Sequence, residues 1–79
     1  MDTRVEWVAG KRWDIITDDG EERRLGSIHE GSDRPEDITI VPGGTDPSLL
    51  ADLRGRRYGS LDAVAAAIGT HLEGDCRIT

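Results

Sequence analysis

The chain has 79 residues, a net charge of −6, and only Trp7, Trp13 and Tyr58 as aromatics. That length predicts one domain with a modest core. The negative balance argues against phosphate-backbone binding as the main task, which needs a positive footprint, and against an anionic membrane surface as the target. No stretch approaches the roughly 20 apolar residues that span a bilayer, the N-terminus lacks the apolar core of a signal peptide, and Cys76 is alone, so no internal disulfide is expected. Together these predict a cytoplasmic protein.

Taken in order, residues 3–8 alternate, with Val5 and Trp7 on one face and Arg4 and Glu6 on the other. That is the pattern of a half-buried strand, and it places Trp7 and Trp13 together on the core face. Gly10-Lys11 fits a two-residue type II′ turn, because glycine accepts positive φ at the first central position; a continuous bent strand through Gly10 is the alternative. A second strand over 12–17 points Trp13 and Ile15 inward. Asp18-Asp19-Gly20 is a strong hairpin signal. A three-residue loop with a left-handed Gly20 sets Trp13 opposite Leu25 and Ile15 opposite Arg23, and leads into a third strand over 22–29; a two-residue loop would set Trp13 opposite Gly26, and the first is preferred because it keeps Leu25 on the Trp face.

Residues 30–36 form a polar loop with Gly, Ser and Pro, and 37–41 form a fourth strand with Ile38 and Ile40 inward. Asp46-Pro47 pairs an N-cap with proline at the first helical position. It predicts a short helix over 47–54 that buries Leu49, Leu50 and Leu53 and stops at Gly55. Residues 56–58 are extended or a very short strand.

The main helix spans 60–72. Ser60 is the N-cap, Asp62 suits the first-turn dipole, and Leu61, Val64, Ala65, Ile68 and Leu72 share one face. Ala66 and Thr70 point outward. Gly69 weakens the helix interior but lets it lie close to a sheet, and Gly74 is the expected left-handed residue beyond the helix end. Residues 75–79 add a short edge strand with Cys76 and Ile78 on alternate faces. Strands followed by helices indicate α+β: an antiparallel sheet of three to five strands, one main C-terminal helix packed across one face and a short preceding helix, in a single domain over 1–79.

The charge is uneven. Residues 1–50 hold 12 acidic and 6 basic side chains, and residues 51–79 hold 4 of each. Asp14, Asp18, Asp19, Glu21, Glu22, Glu30, Asp33, Glu36 and Asp37 are candidate partner-binding residues, because closely spaced carboxylates on a rigid sheet raise the local field and speed association. Trp7 and Tyr58 are candidate apolar anchors. The plainer reading is that the carboxylates only keep a small protein soluble. Their spacing lacks the ligand pattern of an EF-hand. Arg54, Arg56 and Arg57 form the one basic cluster, which can grip a phosphate or carboxylate or pair within the chain. His29, His71 and Cys76 lack zinc-site spacing; a Cys76–His71 dyad would require the two to meet across the turn after the helix, and Cys76 reads better as a small buried residue. Val41-Pro42-Gly43-Gly44 is not a phosphate loop, since no Gly-Lys-Ser/Thr follows.

No catalytic residue, metal or cofactor is therefore assigned. The expectation is a non-enzymatic protein-binding module, most concretely a small acidic inhibitor that occupies a basic site on a larger protein. Phage or mobile-element proteins that block nucleic-acid-binding machines, as anti-CRISPR proteins do, and immunity or antitoxin proteins are of this kind. The alternative is a self-associating structural or regulatory subunit, a homodimer that shares apolar surface because the core is thin.

Overall fold

The computed structural model describes residues 1–18, 20–31 and 37–79. One curled sheet holds six strands: β1 (Thr3–Ala9), β2 (Arg12–Thr17), β3 (Arg24–Glu30), β4 (Ile38–Pro42), β5 (Arg57–Tyr58) and β6 (Cys76–Ile78). Their order across the sheet is β5-β4-β3-β2-β1-β6. β6 runs parallel to β1, and every other neighbouring pair is antiparallel. The mixed α and β content agrees with expectation, but the strand count is higher and the sheet is not purely antiparallel. The turn after the helix brings 76–78 alongside the first strand in parallel, a pairing that no local signal encodes.

Strand alternation builds the core. Val5, Ile15, Ile28, Ile38 and Ile40 point to one face and are buried there, each contributing roughly 1.5–3 kcal/mol. The β2–β3 register differs from expectation: Trp13 faces Ile28 and Ile15 faces Gly26. Thr17 lengthens the turn, because its hydroxyl donates to the Glu21 carbonyl at 2.8 Å and accepts the Arg23 amide at 2.9 Å. A bulge between Ile15 and Ile16 then absorbs the extra residue, and Leu25 still reaches the core. Gly20 does take positive φ, as does Gly10 in the first turn.

The segment Pro47–Leu53 is a 3-10 helix, which buries Leu50 and Leu53 and half-buries Leu49. Asp46 makes no side-chain cap; its carboxylate accepts the Ser48 hydroxyl instead. The helix α1 (Leu61–His71) begins as its sequence dictates, with the Ser60 hydroxyl oxygen accepting the Ala63 amide at 3.1 Å. It ends differently. Glu73, not Gly74, takes the left-handed conformation, with φ of 54°, and the Glu73 and Gly74 amides return to the Thr70 and Gly69 carbonyls. Gly74 is needed for close approach, since a Cβ there would lie 2.3 Å from the Met1 carbonyl oxygen. Cys76 and Ile78 pair with Thr3 and Val5; two residues apart, they share a face rather than alternate.

α1 does not lie along the middle of the sheet. It packs against β4 and β5 near one edge and β6 at the other. Because it starts beside Tyr58, opposite Ile38, and ends where Cys76 meets Thr3, it crosses the core face as a diagonal. The 3-10 helix covers one remaining corner, over β3 and β4. The other, at the Trp7 end of β1, is left open.

Candidate functional site

The face of the sheet away from α1 carries a charge lattice centred on Arg4. Alternation along β1 puts Arg4 and Glu6 on this face, yet Arg4 is only 8% exposed. Its Nε donates to Glu6 Oε1 at 2.8 Å, its Nη1 to Asp18 Oδ1 and the Thr17 carbonyl at 3.2 and 3.3 Å, and its Nη2 lies 2.7 Å from Glu22 Oε1. Asp18 Oδ2 also takes Arg77 Nε at 3.0 Å, because Arg77 stands opposite Arg4 on β6. The Arg77 hydrogen bond and charge, helped by Arg4, hold the Asp18 carboxyl below its ordinary pKa, and the Glu6 and Glu22 carboxylates push Arg4 further up. Beside this group Asp14 pairs with Arg24 Nε at 3.2 Å, and Arg24 also donates to Ser27. Three candidate partner-binding carboxylates, Asp14, Asp18 and Glu22, are thus paired with arginines of the same chain. Strand alternation puts Arg4 on the same face as Asp14, and only the arrival of Arg77 required the β1–β6 pairing.

The two acidic stretches do not form one patch. Asp18, Glu21 and Glu22 sit at the turn joining β2 to β3, while Glu30 and Asp37 sit at the far end of β3, a strand length of roughly 20 Å away. Asp19, Asp33 and Glu36 lie outside the described residues. At this far end the Glu30 amide donates to the Lys11 carbonyl at 3.0 Å, and the Gly31 amide to the Asp37 carbonyl at 3.0 Å. Among the described residues neither the Glu30 nor the Asp37 carboxylate has an ion-pair partner. Glu30 lies in one cross-strand row with Ile38 and Tyr58.

Trp7 was expected in the core. It is 61% exposed, because the diagonal of α1 leaves its corner uncovered. The ring is nonetheless fixed, by Nε1 donating to the Gly10 carbonyl at 2.9 Å and by its position opposite Trp13, which is half-buried against the core. Ile78, 40% exposed, stands beside Val5 on the same side of the sheet and extends this apolar corner. Tyr58 is half-buried and packs on the core, so Trp7 is the exposed member of the two candidate anchors. The Tyr58 hydroxyl is buried without a hydrogen-bond partner.

The residues with nucleophile or metal chemistry do not converge. His29 is exposed on β3, His71 ends α1, and Cys76 is half-buried on β6. Burial pushes the Cys76 thiol up, which favours the protonated form. No hydrogen bond joins His71 to Cys76, and among the described residues no group of three His, Cys, Asp or Glu could hold a metal ion. Among the same residues no helix is long and apolar enough to cross a membrane.

No protein-family model, curated protein or solved structure matches this chain.

Proposed function

We propose that this chain is a non-enzymatic protein-binding module, most concretely a small acidic inhibitor that seats on a basic site of a larger partner. One observation carries this reading: a tryptophan that is exposed yet held by its own indole hydrogen bond, at the end of the sheet where Glu30 and Asp37 lack ion-pair partners among the described residues. A rigid aromatic anchor loses little entropy on binding, and Trp is enriched among residues that dominate interface energetics. Carboxylates at its rim steer a basic partner and fix its register. The inhibitor classes that fit are those of phage or mobile-element proteins and of immunity or antitoxin proteins. The test is affinity capture on the immobilised chain from the lysate of its native host, at low and high salt, with the Trp7→Ala chain alongside. One stoichiometric partner that high salt releases and Trp7→Ala fails to retain is expected. A partner held equally by both chains would overturn the assignment of the anchor, and recovery of the bait alone would overturn the inhibitor reading.

A second reading, self-association, draws on the sheet edge. β6 pairs with β1 only from Thr3 to Val5, so β1 extends beyond it through Trp7 to Ala9, an edge of the kind that pairs with another chain. Sedimentation across a wide concentration range tests it; a monomer throughout would remove it.

A further inference from the structure

Two sets of arginines in this protein stand in contrast. Arg4, Arg24 and Arg77 each pair with a carboxylate. Arg54, Arg56 and Arg57 are all exposed, and none forms an ion pair among the described residues, although the molecule carries an excess of acid. Next to Arg56 a groove of about 370 Å³ opens between the end of the 3-10 helix and α1, lined by Leu53, Arg56, Ala66, Ala67, Thr70 and His71. Leu53 is buried beneath it, and Ala66, Thr70 and Arg56 are exposed at its sides. The alanines that favour the helix in sequence also keep this space open, since a large side chain at 66 or 67 would project into it. The volume is at the small end of ligand pockets, roughly 300–1,000 Å³, which suits one or two side chains better than a nucleotide.

We propose that this groove docks a short acidic segment of a partner protein, with an aliphatic side chain on Leu53, Ala66 and Ala67 and a carboxylate on the Arg56 guanidinium. Charge complementarity selects the occupant: an unpaired guanidinium fork matches a carboxylate, and the apolar lining rewards a side chain that a free anion lacks. A nucleic acid would bring many phosphates against a protein of net charge −6. α1 runs between this groove and the Trp7 corner, so the two surfaces can be disabled separately.

The test is an amide-shift titration of the ¹⁵N-labelled full chain with a blocked glutamate-leucine-alanine-glutamate peptide, its glutamine-leucine-alanine-glutamine counterpart, and inorganic phosphate. The acidic peptide is expected to shift the amides of Ala66, Ala67, Thr70 and His71, and Arg56→Ala to weaken it about three- to fivefold. Ala66→Leu, a change at an exposed helix position, is expected to abolish these shifts while the remaining spectrum stays in place. Equal shifts with the neutral peptide, shifts reproduced by phosphate and kept in Ala66→Leu, or no shifts at the solubility limit of the acidic peptide would each overturn the proposal. Trp7→Ala is expected to leave the titration unchanged, which separates a failure here from a failure of the inhibitor reading.

Discussion

At the turn end of the sheet Asp18 lies between Arg4 and Arg77, and Glu22 closes on Arg4. At the hairpin-tip end Glu30 and Asp37 have no such partners among the described residues, and Trp7 stands in solvent at the same end of the sheet. The two stretches carry similar acidity in the sequence. They differ because strand pairing delivers two arginines to one end and none of those to the other. Acidic composition therefore overstates the unpaired charge: at the turn end Asp18 and Glu22 are paired with arginines of the same chain, and at the tip end Glu30 and Asp37 have no ion pair among the described residues.

The largest difference between the ends should appear on adding a single methyl group. At the turn end Gly44 has positive φ, and a Cβ there would fall 2.1 Å from the Arg24 carbonyl oxygen. Gly44→Ala should cost about 3 kcal/mol, from left-handed strain and forced backbone movement together. At the tip end Gly10 also has positive φ but open space around it, so Gly10→Ala should cost only about 1 kcal/mol. Urea unfolding of both variants checks this, and equal costs would erase the contrast between a packed end and an open one.

Next in size, Trp7→Ala should reduce partner affinity by about 2 kcal/mol and change folding stability by no more than about 1 kcal/mol, since the side chain is mostly in water. Calorimetric titration against the captured partner, with thermal unfolding alongside, separates the two. A large loss of stability instead would make Trp7 a structural residue.

Acid should act on the turn end. Asp18 has a lower pKa folded than unfolded, so the unfolded chain binds more protons in that window and stability rises with pH. The contribution of this pair is complete above the ordinary value of 3.8 and is lost as pH falls through the depressed value. Asp18→Asn should therefore flatten the acid limb of the stability–pH curve, and an unchanged limb would remove Asp18 from the cause.

The smallest effect belongs to Glu30→Gln combined with Asp37→Asn. Stability should stay within about 0.5 kcal/mol, while association with the partner slows at low salt and the difference fades at high salt. Stopped-flow association rates decide it; rates identical to the parent chain would return these carboxylates to a solubility role.

How far the sequence could be read follows the range of the forces involved. Ser60 caps α1, Gly10 and Gly20 take positive φ, Pro47 opens a helical turn, and Ile38 and Ile40 face inward, because each choice rests on a residue and its near neighbours. Alternation correctly put Arg4 and Glu6 opposite Val5. It could not show that Arg4 would be buried, since burial required Asp18, Glu22 and the parallel strand that carries Arg77. Nor could the pattern of β1 show where cover would run out: Trp7 repeats the spacing of Val5, and only the slant of α1 separates a buried valine from an exposed tryptophan. The groove beside Arg56 was illegible for the same reason, as Leu53 and Ala66 meet only across two elements. The sequence by itself thus determined the local elements, the inward faces and the acidic excess. The tertiary structure decided the six-strand order, the left-handed Glu73 in place of Gly74, which charges are neutralised and which aromatic is left exposed, because those outcomes depend on contacts between residues far apart in the chain.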